Sequence, residues 1–206
     1  MVDKIRSENG EAIFIKTDIT KSEEVKALID QTLYYFGTID IAINSAGAEG
    51  TPGVKTADFD EQIWDEMLAV NLSGLWYSMK YEIPVMQMAG KGVIVNISSL
   101  AGLRAGGAGV GYHAAKFGAV GISKTAAWEY ADQNIRINAI CPAVIDTPMA
   151  DRAFNTREKR ENAIKMHPVG RLGKVEEVVN LILWLASSEA SFVTGTAIPV
   201  DGGANL

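Results

Sequence analysis

The sequence predicts a doubly wound α/β fold, a parallel sheet covered by helices on both faces. Three observations carry this. Short runs rich in Ile and Val alternate with longer stretches of helical period. The runs are almost continuously apolar, as strands buried on both faces are. Their C-terminal ends collect small and polar residues, which groups such residues at one edge of the sheet.

In chain order, strands are expected at residues 12–16, 39–44, 92–98, 135–140 and 196–200. Helices are expected at 22–36, 60–88, 111–131 and 175–186. In the last of these, Val178, Leu181, Ile182 and Leu185 form one apolar stripe. The 60–88 helix has two stripes: Ile63, Met67 and Val70, then Leu68, Leu72, Trp76 and Met79. The helix near Tyr112 is apolar almost all round. Helices of this kind are covered on every side, so both are expected to pack against a second copy in a dimer or tetramer. A thick monomeric core is the alternative. Residues 142–168 read as a long lid-like loop, with the charged stretch Arg157–Glu161 as a solvated helical face. No repeat or linker divides the chain, so residues 1–206 are taken as one domain.

Composition narrows the function. Nineteen basic residues against twenty-five acidic ones give a net charge of −6 in 206 residues. Nucleic acid is therefore not the expected partner, because phosphate binding needs surplus Lys and Arg. No apolar run is long enough to span a bilayer, and the first residues lack the apolar region of a secretory signal. A single cysteine, Cys141, suits the cytoplasm. His113 and His167 lie too far apart, with too few partners, for a metal site.

The chemistry is expected at the strand ends. One strand ends in Asn44-Ser45-Ala46-Gly47, the next in Ser98-Ser99, the next in Cys141-Pro142-Ala143. Beyond them lies Tyr112-His113-Ala114-Ala115-Lys116, whose Tyr and Lys share a helix face at i, i+4. An ammonium beside a phenol favours phenolate, lowering a pKa that starts near 10. Such a phenol works as a general acid or base. A hydroxyl such as Ser99 can hydrogen-bond a carbonyl and its developing alkoxide. Together these groups suit carbonyl/alcohol interconversion, given a hydride carrier. Alone, the Tyr–Lys pair is a weak signal, since about one chain in three of this composition holds one by chance.

The ordered set is far more specific. Asn44-Ser45-Ala46-Gly47, Asn71, Ile94-Val95-Asn96-Ile97-Ser98-Ser99, Tyr112-x-x-x-Lys116, Asn138-Ala139-Ile140-Cys141-Pro142 and Val200-Asp201-Gly202-Gly203 resemble the short-chain dehydrogenase/reductase family along the whole chain. The resemblance implies a Rossmann-like three-layer α/β/α fold and an NAD- or NADP-dependent oxidoreductase acting on a small alcohol or ketone. It implies Tyr112 as acid/base and Lys116 as the group that tunes it and binds the nicotinamide ribose. It implies Ser99 as the group polarising the carbonyl, and Asn71 as the holder of a helix kink and a relay water. Cofactor contacts are implied at Asp18, Ile19, Asn44, Ala46, Gly47, Pro142, Ile145 and Thr147, beside Tyr112 and Lys116. No metal is implied. Two departures stand out: Pro142-Ala143 replaces Pro-Gly, and Ser45 replaces a second Asn.

The family's opening unit, two strands around a glycine-rich turn that cradles pyrophosphate, has no counterpart in these residues. The cluster Gly106-Gly107-Ala108-Gly109-Val110-Gly111 has neither its spacing nor its place. In the strand order 3-2-1-4-5-6-7 that the resemblance implies, the two missing strands fall between 12–16 and 39–44. The 12–16 strand is then left without a ladder partner. Either the gap closes by rearrangement, or the working protein is longer; the second is the expectation. The residue that separates NAD from NADP belongs to that unit, so cofactor choice is open. A non-catalytic family member serving as a structural subunit, and an acyl-carrier-linked ketoacyl reductase, are the alternative functions.

Overall fold

The computed structural model describes residues 1–206. The Ile/Val runs pair side by side in chain order: β1 (Ile41–Asn44), β2 (Gly92–Ile97), β3 (Ile135–Pro142) and β4 (Ala197–Val200). All neighbours are parallel. The register sets Asn44 opposite Asn96 and Val95 opposite Asn138.

Helices cover both faces. Four helices form before the β2 strand: α1 (Val2–Ser7), α2 (Ser22–Phe36), α3 (Glu61–Leu68) and α4 (Gly74–Ala89), the last two joined by a π-helical turn, Ala69–Ser73. After β2 comes α5 (Val110–Tyr130), and after β3 come α6 (Pro148–Ala153), α7 (Arg157–Lys165) and α8 (Val175–Ala186). Met79, Ile83 and Met86 of α4 and Ala126 and Ala127 of α5 pack on Ile94, Ile135 and Ile137 from one side. Val178, Leu181, Ile182 and Leu185 of α8 pack on Val95 and Ile140 from the other. The stripe read from the sequence is therefore the buried face of α8.

Local chemistry sets the boundaries. Asp60 caps α3 by accepting from the Ile63 amide at 3.0 Å. Helix α2 stops at Gly37, whose φ of +78° is cheap only for glycine. The expected 142–168 loop holds two short helices instead, capped by the Thr147 and Thr156 hydroxyls. The charged stretch Arg157–Glu161 forms α7's outer face, as expected.

One strand does not form. Residues 12–16 join no ladder, and Phe14 is 80% exposed. The reason is the missing partner: β1 is an edge strand paired only with β2. An unpaired backbone group costs roughly 1–3 kcal/mol when buried, so the segment stays where water serves it. On the outer side, Trp76 of α4 and Phe117 and Trp128 of α5 are exposed in the single chain. No helix is long and apolar enough to cross a membrane.

Candidate active site

The sheet's carboxyl edge brings the expected reacting groups together. Ser99 follows β2 and caps a short 3-10 turn, its Oγ accepting from the Ala101 amide at 3.1 Å. That bond uses a lone pair and leaves the hydroxyl proton available. Tyr112 and Lys116 lie one turn apart on α5, with Lys116 Nζ 5.6 Å from the Tyr112 ring centroid. Lys116 is 5% exposed, and its ammonium donates to the Ile97 carbonyl at 3.2 Å. The buried Ser98 hydroxyl donates to the Lys116 carbonyl at 2.9 Å and pins this turn of α5 to the end of β2.

Asn71 sits inside the π-helical turn. Such bulges redirect a side chain and frequently mark functional sites. Its Nδ2 donates to the Met67 carbonyl at 3.2 Å, and its Oδ1 accepts from the Ala48 amide at 3.1 Å. Asn71 thereby fastens the turn after β1 to the π-helical turn and the end of α3. A Cβ on Gly47 would lie 3.0 Å from Asn71 Oδ1 and 3.6 Å from Lys116 Nζ. Gly47 thus presents bare backbone beside a buried ammonium.

Burial shifts the titrating groups. It pushes the Tyr112 phenol above its ordinary value, opposed by the Ser99 hydroxyl. The sequence argument expected the opposite sign, from Lys116. Burial also lowers Lys116, to about 8. Desolvation therefore acts on both partners of the pair. Cys141, buried at the end of β3, is pushed up to about 11 by the same cause, which makes it a poor nucleophile.

The remaining expected contacts divide. Pro142 ends β3, and Ala143 donates to the Val200 carbonyl at 3.1 Å with an ordinary φ, so the departure from Pro-Gly needs no left-handed backbone. Thr147 donates to the Ile145 carbonyl at 3.2 Å while capping α6. Asp18 and Ile19 lie in the turn before α2. The Asp18 carboxylate accepts from Thr20, and Ile19 packs against Gly74 of α4.

Two arrangements escaped the sequence reading. His167, 3% exposed, bonds the Ala163 carbonyl through Nδ1 at 2.8 Å and accepts from the Val144 amide through Nε2 at 3.3 Å. These partners assign the proton to Nδ1 and tie α7 to the loop after β3. The second is a buried polar chain. Asn44 Nδ2 donates to Glu82 Oε2 (3.1 Å) and Asn96 Oδ1 (2.9 Å), and Asn96 Nδ2 donates to Ser123 Oγ (2.9 Å). An acidic residue among Met79, Ile83 and Met86 was the available signal.

Glu82 is 6% exposed, and burial raises its carboxyl to about 7. The unfolded chain releases this proton near 4.5, while the native state keeps it until about 7. Stability therefore falls as pH rises between those values and levels off above. Glu82→Gln removes the loss. At pH 8 it is expected to be more stable than the parent by up to about 3 kcal/mol, a gap that narrows toward pH 5. Thermal melts of both proteins across pH 5–8 check this; a gap independent of pH contradicts it.

A parallel α/β sheet that gathers a hydroxyl, a phenol and a buried ammonium at its carboxyl edge defines an α/β oxidoreductase. The family model described as "Enoyl-(Acyl carrier protein) reductase" matches residues 1–205, and the chain belongs to this branch of the short-chain dehydrogenase/reductase family. Cyclohexanol dehydrogenase of Acinetobacter sp. (strain SE19) is 41% identical over 202 residues, covering 98% of this chain and 78% of the relative. Among solved structures, levodione reductase superimposes with a TM-score of 0.93 at 34% identity, covering 97% of this chain and 79% of that one. Carveol dehydrogenase from Mycobacterium avium, in complex with NAD, gives a TM-score of 0.93 at 28% identity, covering 98% and 78%.

Proposed function

We propose that this protein interconverts a secondary alcohol and a ketone, using NAD or NADP. The observation that carries the reading is the buried Lys116 ammonium beside the Tyr112 ring, with a single protein hydrogen bond from Nζ and Ser99 on the adjoining strand end. The residues fit the nicotinamide-ribose half of a dinucleotide. Lys116 has N–H donors left for ribose hydroxyls, and Gly47 leaves the space beside it open. The 44–47 turn and the segment Pro142, Ile145, Thr147 line the two flanks. A nicotinamide bound there supplies the hydride acceptor or donor.

The chain's own groups handle the proton. In alcohol oxidation the Tyr112 phenolate takes the hydroxyl proton as the carbinol C–H bond breaks and the carbonyl forms; in reduction the phenol returns it. Ser99 donates to the substrate oxygen and holds it toward Tyr112. Lys116 stabilises the phenolate. Asn71 fixes the turn that shapes this floor and positions a relay water. The relatives named for cyclohexanol, levodione and carveol favour a ring alcohol or ketone. The acyl-carrier description of the family model favours a ketoacyl substrate as the second reading. The test is absorbance at 340 nm with both nucleotides and a panel of ring alcohols and ketones. Turnover of the panel supports the first reading; turnover of a β-ketoacyl thioester alone supports the second.

The same proposal extends to assembly and place. Trp128, 86% exposed, with Trp76 and Phe117 marks the outer faces of α4 and α5 as the contact between copies in a dimer or tetramer. Light scattering at micromolar concentration is expected to give a multiple of 22.1 kDa, and Trp128→Glu to lower it; a parent mass of one chain contradicts the assembly. A cytoplasmic location fits the lone buried cysteine.

A further inference from the structure

The turn after β1 places one side chain among the reacting groups that the mechanism above does not use. Gly47 lies beside Lys116 and Asn71, Ala48 donates to Asn71, and a Cβ on Gly50 would collide with the Ala108 carbonyl and come 3.0 Å from Tyr112 Cβ. Glu49 stands between them. Its Oε1 accepts from Arg152 Nε of α6 at 3.2 Å. The strand order is β1-β2-β3. Glu49 leaves the sheet from β1 and Arg152 from β3, so their bridge crosses above the end of β2, where Ser99 sits.

Both side chains are substantially exposed, 42% for Glu49 and 60% for Arg152. An ion pair of that exposure adds little to stability, so its position is what distinguishes it. The second carboxylate oxygen, Glu49 Oε2, is sheltered from solvent and has no hydrogen-bond partner. A charged acceptor left unpaired is costly, and a donor entering the crevice relieves that cost. Arg152 holds one oxygen of the carboxylate, and a swing of this partly exposed side chain presents the other to that donor.

Resting on the alcohol–ketone reading, we propose that Glu49 is a specificity-determining residue that accepts a hydrogen bond from a second hydroxyl of the substrate. The substrate class is then a ring carrying two or more hydroxyls, one oxidised at Tyr112 and another held by Glu49. A site built to bond a hydroxyl discriminates strongly against the analogue lacking it.

The test compares kcat/KM for cyclohexane-1,2-diol and for cyclohexanol on the same preparation, with NAD and with NADP. The ratio is independent of the folded fraction, so a poorly folding variant does not obscure it. The unmodified chain is expected to favour the diol by roughly tenfold or more. Glu49→Ala should bring the ratio close to one, chiefly through the KM for the diol. Glu49→Gln, which keeps an acceptor without the charge, should retain part of the preference, and Arg152→Leu should weaken it. A merely structural role moves both substrates alike. An unchanged ratio in Glu49→Ala, or no preference in the unmodified chain, overturns the inference while leaving the alcohol–ketone reading standing. Failure of the unmodified chain to turn over either alcohol overturns that reading and this inference with it.

Discussion

Tyr112→Phe is expected to lower turnover by roughly 10²–10⁴-fold, the range general acid–base groups contribute. The substitution removes one oxygen and leaves the ring in place. The Tyr112 Cβ lies close to Gly50 and the ring faces the Lys116 ammonium, and Phe keeps both, so the fold should survive. No neighbour can replace the lost group. Ser99 is a hydroxyl without a base of its own, and Cys141 is buried with a thiol held up at about 11. The kcat should fall while nucleotide affinity stays within a few fold, because the phenol acts on the substrate proton. The measurement is steady-state kinetics at 340 nm with thermal melts as a folding control. A variant retaining most of the parent's activity removes Tyr112 from its assigned role.

The second large effect concerns Lys116. Burial raises the Tyr112 phenol, and the ammonium is the one cation the structure places over its ring. The ammonium lies 5.6 Å from the ring centroid, and a cation beside the ring favours the phenolate. Lys116→Ala removes this help. The rising limb of the alcohol-oxidation profile should therefore move to higher pH, with a slower rate at neutral pH. Lys116→Met, which restores most of the stem, separates charge from packing and should show the same shift. The parent itself loses the cation as pH climbs through about 8. An unchanged pH profile in both variants refutes the tuning of the phenol by Lys116.

Much of this molecule is legible one residue at a time. The Ile/Val runs before Asn44, Ser98 and Pro142 become strands because period and composition agree with burial on both faces. The α8 stripe has the same logic. The Tyr112–Lys116 pair is readable because helix geometry alone brings i and i+4 together. Residues 12–16 show where such reading stops: their pattern is a strand's, but a strand needs a partner, and composition carries no information about one. The sign of the Tyr112 shift was missed for a related reason. Spacing reveals the neighbouring charge but not the burial that outweighs it. The Glu49–Arg152 bridge joins residues 103 positions apart across an intervening strand, a juxtaposition visible only once the sheet order is known. Glu82 was readable in part, as an acid on an apolar face, but its partner Asn44 on β1 was not.

The central claim is that this chain moves a hydride between a carbinol carbon and a nicotinamide, with Tyr112 carrying the proton. Cyclohexanol deuterated at the carbinol carbon tests it most directly, by mass spectrometry of the nucleotide after incubation with the protein. The account predicts one deuterium in the reduced nucleotide with the unmodified chain and a strongly diminished yield with Tyr112→Phe. Ketone formation without deuterium in the nucleotide, or equal yields from both proteins, would contradict it.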